Sequence, residues 1–167
     1  MSKITTLQEL YVDELKDLWS GNDQMAKALK KIQPKVQNTK LVAHLENAQI
    51  GIAKHIGLLK SLIDQHGGEV KKEHCKGMEG LALEAIKHTV DDAPKPGPLL
   101  DAAIIAQYQR MTHYGITGFG TVSAFAKALK LDADQELLKA AVSSMYASDD
   151  LMSELAESAV NVSAAVE

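Results

Sequence analysis

Apolar residues recur along this chain at spacings of three, four and seven, the period of a helix that buries one face. Leu7, Leu10, Glu14, Leu18, Met25, Leu29 and Ile32 form a first stripe. Thr6, with Glu9 three residues on, reads as a capping box that opens this helix, and Pro34 closes it. Leu41, Leu45, Ala48, Ile52, Ile56, Leu59 and Ile63 make a second stripe over about residues 38–66, stopped by Gly67-Gly68. Residues 75–88 read as a shorter helix or a pair of turns, with Met78, Leu81 and Ala85 on the apolar face. The proline-rich run from Asp91 to Pro98 is a loop.

A fourth helix is predicted over about residues 99–129. Its stripe is Leu100, Ile104, Gln107, Met111, Gly115, Gly118, Val122, Phe125 and Leu129. A fifth covers about residues 132–160, capped by Asp132, with Leu137, Ala141, Ser144, Ser148, Met152, Leu155 and Ala159 in line. No strand pattern and no phosphate-loop motif is present. The glycines of the run from Gly115 to Gly120 fall inside a helical pattern, so close helix contact is the reading taken for them. Four helices of this length would each span about 40 Å. Two antiparallel hairpins joined by a long crossover give an all-α, ferritin-like four-helix bundle with a short extra helix.

Composition narrows the class. A chain of 167 residues is read as a single domain, 1–167, able to bury a good core. Hydrophobic residues are 46% and aromatics only 4%, a balance that favours helix over sheet. A net charge of −4 gives no global attraction to nucleic acid or anionic membrane. Lys30-Lys31 and Lys71-Lys72 are read as solvated helix faces. Cys75 is the only cysteine, which excludes an internal disulfide and fits a reducing, cytoplasmic setting. The stretch Met1–Thr6 lacks the apolar core of a signal peptide, and no apolar run reaches the ~18 residues of a membrane span.

Polar residues inside the stripes are the candidate chemistry. Glu14 and Asn22 fall on the inner face of helix one. His44, His55 and His66 are in line on helix two at intervals of eleven. Gln107 and Thr112 belong to helix four, and Ser144 and Ser148 to helix five. Bundles of this kind often hold two metal ions, using about four carboxylates and two histidines. Glu14, flanked by Asp17, is the one carboxylate clearly on a stripe. His44 and His55 lie ~16 Å apart along the axis, too far to share an ion. Helix two has no Glu-x-x-His pair, and helix five has no histidine. A single-ion site at Glu14, His44 or His113 is the residual metal candidate. Histidines hydrogen-bonded to their neighbours are the plainer reading.

Nucleophilic chemistry has little support. His74 and Cys75 are adjacent, and adjacent helical residues do not face each other, so Cys75 is read as a packed thiol. Ser143 and Ser144 have no histidine near in sequence. Tyr11, Trp19, Tyr108, Tyr114 and Tyr146 could line a pocket, but rings on helices are more commonly core or interface.

The order of motifs resembles the YciF/YciE family of ferritin-like bacterial proteins. The resemblance rests on the run from Leu7 to Leu18, on His44-Leu45-Glu46, and on Cys75-Lys76-Gly77-Met78-Glu79-Gly80-Leu81. It continues through the run from Asp101 to Ala106, His113-Tyr114, Phe119-Gly120-Thr121 and Ala147-Ser148-Asp149. It covers nearly the whole chain. It implies a dimeric bundle, an association with stress responses, and in some members a carboxylate-rich di-metal centre. Matched position by position, the implied ligands are Glu at Asn22 and Asn47 and His near Gly51. A Glu-His-Tyr-Glu run corresponds to Thr112-His113-Tyr114-Gly115, and an acidic run to Ser143-Ser144-Met145. Only His113 and Asp149 persist.

The substitutions fall on all four helices, as expected if the centre were rebuilt as a neutral core. Unpaired carboxylates there would be costly to bury. The expectation is a non-catalytic, metal-free, stress-associated, structural or binding protein. It needs no cofactor and is cytoplasmic and homodimeric, with a protein or small-molecule partner and no nucleic acid or membrane. No metal is expected at the former metal-site positions Asn22, Asn47, Gly51, Thr112, Gly115, Ser144 and Met145. The residual candidates are Glu14, His44, His113 and Asp149. The alternative is a di-iron or other metal-dependent oxidase, peroxide scavenger or iron handler. A third class, a metal-independent enzyme using Glu14 or a histidine as base, predicts a pocket holding a carboxylate of raised pKa.

Overall fold

A computed structural model describes residues 4–71 and 73–166. Met1–Lys3 of the N-terminal stretch and Lys72 of the second basic pair lie outside the described residues. The first helix, α1, is Leu7–Ile32. Thr6 Oγ1 accepts from Glu9 N at 3.1 Å, and the Glu9 carboxylate reaches back to Thr6 N, the reciprocal cap read from the sequence. A 3₁₀ turn, Gln33–Lys35, carries Pro34 and ends it. Helix α2 is Thr39–Gln65, capped by Asn38 Oδ1, which accepts from Lys40 N and Leu41 N. Gly67, at φ 69°, takes the left-handed conformation that terminates α2.

The crossover carries α3, Lys76–Ile86, capped by Cys75 Sγ, and then a π-type turn, Lys87–Asp91. Helix α4 is Pro98–Ala128 and starts on a proline, whose missing N–H costs nothing in a first turn. Helix α5 is Asp132–Leu155. Leu131 occupies the cap position, so Asp132 lies in the first turn and does not cap; its charge is still favourable there. A second π-type turn, Ala156–Val160, and the short α6, Asn161–Ala164, extend α5.

The four long helices form a ring in which α1 and α5 each pack on both α2 and α4. Cross-bundle pairs fix the directions. Asp101, at the start of α4, accepts from Gln37 N and Asn38 N just beyond α1. His66, at the end of α2, pairs with Asp134 at the start of α5. Neighbours are therefore antiparallel, and the crossover runs the length of the bundle. Helix α3 packs over α1 and α4. Among the described residues there is no strand, and no helix is long and apolar enough to cross a membrane.

The core falls into two blocks. One contains Met25, Leu29, Leu41, Leu45, Leu100, Met111 and Met152, with α3 contributing Met78 and Ala85. The other contains Tyr11, Leu15, Leu18, Leu59, Leu62, Phe119, Val122 and Leu138. Two expected stripes are out of phase with this core. In the first half of α1 the buried residues are Tyr11 and Leu15, whereas Leu7 is exposed and Leu10 and Glu14 are half-buried. That helix has leucines on more than one face, and only packing selects among them. On α5 the buried residue is Leu138 rather than Leu137. Of the clustered glycines, Gly118 does mark close contact: a Cβ there would collide with Leu18 Cδ2. A Cβ at Gly115 would meet only Met145 Sδ, at 3.3 Å, and one at Gly120 would meet nothing within 4 Å.

Candidate functional site

Between the two blocks, midway along the bundle, lies a cavity of about 400 Å³. Its inner wall is Leu18, Gly21, Asn22 and Met25 of α1, Met78 of α3, and Met111, Thr112 and Gly115 of α4. Its outer wall comes from α2 (His44, Asn47, Gly51, Ile52, His55) and α5 (Ser144, Met145, Ala147, Ser148, Leu151). Asn47, Ser144, Ala147 and Leu151 are exposed, so the mouth lies between α2 and α5.

All seven positions that the resemblance marks line this one cavity: Asn22, Asn47, Gly51, Thr112, Gly115, Ser144 and Met145. None brings a carboxylate or an imidazole. The whole lining contains no Asp, Glu, Lys or Arg. Its two imidazoles, His44 and His55, sit eleven residues apart on one helix. Among the described residues no three His, Cys, Asp or Glu side chains are grouped so that they could hold a metal ion. A carboxylate-bridged pair of ions does not fit these residues.

The centre of the bundle is hollow. Gly51 and Gly115 contribute no side chain, and Asn, Ser and Thr are shorter than the acids they are matched with. The pocket opens between α2 and α5 and has room for a small molecule.

Several polar atoms around the cavity have partners. Asn22 Nδ2 donates to Leu18 O at 2.9 Å. Tyr108 Oη and Ser148 Oγ share a 2.8 Å hydrogen bond. Ser144 Oγ donates to Ala141 O at 3.0 Å and lies 3.4 Å from His55 Nε2. The His55 ring packs on Phe119 with centroids 5.1 Å apart, and burial lowers its pKa. Among the buried side-chain atoms of the described residues, Thr112 Oγ1 stands apart. Its side chain is 3% exposed, and Oγ1 has no hydrogen-bond partner.

The residual metal candidates are scattered. His44 lines the cavity. Glu14 lies on an outer groove between α1 and α4 with Asp17, Arg110 and His113, and not on the inner face. Burial, then the charges of Asp17 and Asp13, raise its pKa. His113 is 2.8 Å from Asp149, which also accepts from Gln109 Nε2 at 3.1 Å. His66 is absent from the cavity, although it shares a line with His44 and His55 along α2. Cys75 is buried, 3.1 Å from Tyr114 Oη, and burial raises its pKa.

Two buried carboxylates escaped the sequence reading. Asp101 holds the α1–α2 connection as described above. Asp134, 2% exposed, accepts from Tyr11 Oη at 3.0 Å and pairs with His66. Burial, then the Asp134 charge, pushes the Tyr11 phenol up. The one sequence signal for both acids was their place in a first helical turn.

The family described as a domain of unknown function, DUF892, matches residues 6–165. The chain belongs to the DUF892 family. Protein YciF of Escherichia coli K12 is 30% identical over 160 residues, covering 93% of each chain. The crystal structure of that E. coli protein, described as a stress protein, superposes with a TM-score of 0.86 at 27% identity. It covers 95% of this chain and 99% of the other. YcfI of Rhodopseudomonas palustris, described provisionally as a structural protein, gives 0.84 at 27% identity over 91% and 96% of the two chains. The resemblance read from the motifs is thus shown, and this DUF892 bundle has the ferritin-like helical fold of YciF.

Proposed function

We propose that this DUF892 chain is a metal-free, non-catalytic binding protein with a stress-associated or structural role, and that its bundle centre receives a small molecule. The observation that carries the reading is the neutral cavity. The seven matched positions converge on it and supply amide, hydroxyl, thioether or no side chain, where a di-metal centre requires carboxylates and histidines. The stress-protein and structural-protein descriptions of its relatives agree with such a role. Anaerobic loading with Fe(II), followed by dialysis and elemental analysis, tests it. The expected result is iron well below one equivalent per chain, and stoichiometric retained iron would overturn the reading. A homodimer in the cytoplasm belongs to the same proposal. Sedimentation at micromolar concentration that showed only the 18.0 kDa species would remove the dimer, and fractionation of cells tests the compartment.

A further inference from the structure

We propose that the cavity takes one unbranched, medium-length hydrocarbon chain with an uncharged hydroxyl or carbonyl head, the head resting at the mouth beside His44 and Asn47. This rests on the metal-free, small-molecule reading of the same site and adds the shape and polarity of the guest.

Shape comes first. His44 and His55 both line the cavity, and their separation on α2 corresponds to ~16 Å along the helix axis. A volume of about 400 Å³ drawn out over that length leaves a section of about 25 Å². Non-bonded carbons sit about 4 Å apart, so this section holds one chain and not two side by side. An extended chain advances about 1.3 Å per carbon, so the slot takes about ten to twelve carbons. Volume gives a matching size. A cavity of about 150 Å³ takes one benzene, and this one is between two and three times as large.

Polarity comes next. The lining side chains that keep accessible surface are mainly apolar: Met25, Ala48, Ile52, Met145 and Leu151. The lining has no Asp, Glu, Lys or Arg, so a charged head would give up hydration without gaining an ion pair. Uncommitted polar groups lie toward one end. His44 is half-buried, Asn47 is exposed, and both line the cavity three residues apart on one face of α2. Neither has a hydrogen-bond partner among the described residues. At the other end His55 is engaged: Ser144 Oγ lies 3.4 Å from its Nε2, and its ring packs on Phe119. The head therefore belongs at the His44 end and the tail at the His55 end.

The test is titration calorimetry on the full chain with 1-hexanol, 1-octanol and 1-decanol. Decanoate and the cage-shaped 1-adamantanol serve as probes with the carbon count of 1-decanol but another charge or shape. 1-Decanol is expected to bind one per chain. Affinity should rise roughly fourfold for each carbon added between 1-hexanol and 1-decanol. Decanoate and 1-adamantanol should each bind at least roughly tenfold more weakly than 1-decanol. Gly51→Phe, placed where a Cβ meets nothing within 4 Å, should keep the helical circular dichroism and abolish binding. His44→Ala combined with Asn47→Ala should weaken 1-decanol roughly three- to tenfold and leave the gain per carbon unchanged.

Absence of 1-decanol binding, an affinity that is flat across the three alkanols, or decanoate or 1-adamantanol binding as tightly as 1-decanol would each overturn this assignment. So would full binding by folded Gly51→Phe, or an unchanged 1-decanol affinity in the double variant. None of them touches the metal-free reading, which stands or falls on iron retention. Conversely, stoichiometric iron that excludes 1-decanol would remove both.

Discussion

Asp134 offers the sharpest measure of what holds the far end of the bundle together. It is 2% exposed and lies where α1, α2 and α5 meet. Tyr11 Oη donates to it at 3.0 Å, Gln65 Nε2 approaches its other oxygen at 3.4 Å, and His66 pairs with it. Asp134→Ala would strip the phenol and the imidazole of their shared acceptor without giving water access. Leaving each of these two groups without its acceptor costs about 1–3 kcal/mol, or about 2–6 kcal/mol together. For a chain of this size each kcal/mol lowers Tm by about 2–4 °C, so a fall of roughly 4–24 °C is expected. Urea unfolding followed by far-UV circular dichroism gives the loss directly, with an unchanged m-value showing that the unfolding transition is otherwise the same. Tyr11→Phe alone should cost about 0.5–1.5 kcal/mol, and close to nothing in the Asp134→Ala background, since the hydroxyl then has no acceptor. A loss below about 1 kcal/mol for Asp134→Ala, or an undiminished Tyr11→Phe cost in the double variant, would refute the reasoning.

Thr112→Val should stabilise the ligand-free chain by about 1–3 kcal/mol, because it removes a buried hydroxyl that has no partner. A higher urea midpoint checks this. Gly77→Ala places a Cβ 2.7 Å from the Tyr114 ring, whose hydroxyl is held by Cys75 and Asp17, and should cost about 1–3 kcal/mol in the same assay. His55 has its pKa lowered from 6.5 by burial, so the unfolded chain binds the proton more readily. Its contribution to stability is therefore full above 6.5 and is lost as pH falls through that value toward the folded pKa. Between about pH 7.5 and about pH 5.5 the wild type should lose more stability than His55→Gln, and parallel losses would count against this. Glu14 has the opposite sign for its own reason: burial and two neighbouring acids raise its pKa, so its ionisation opposes folding as pH rises. Glu14→Gln should raise the urea midpoint at neutral pH and leave it unchanged in acid.

The helices were legible because their ends carry local chemistry. The Thr6–Glu9 cap, Pro34, the glycine at 67 and the prolines before α4 each act within a few residues. Burial depends on more distant partners, and there the reading slipped. Leu7, Leu10 and Leu137 satisfy a helical period as well as Tyr11, Leu15 and Leu138 do, and the choice is made by the neighbouring helices. The two π-type turns leave no such mark, because a single added residue per turn changes the backbone path without a signature side chain. The site was legible by another route. Periodicity placed Asn22 inside but also put Glu14 there, and Asn47 entered only through the resemblance. The structure then brought all seven matched positions to one cavity. Asp101 and Asp134 stayed hidden because a first-turn acid is ordinarily a surface residue, and only the folded chain brings donors to it.

The split between the two apolar blocks bears on how the bundle breathes. The end built around Leu29, Leu41 and Leu100 and the end built around Tyr11, Leu62 and Phe119 each keep their own packed neighbours. Partial opening can then be confined to one end, with amide protons at the two ends exchanging on separate schedules. A guest lodged in the gap touches both ends, and it would merge those schedules into one.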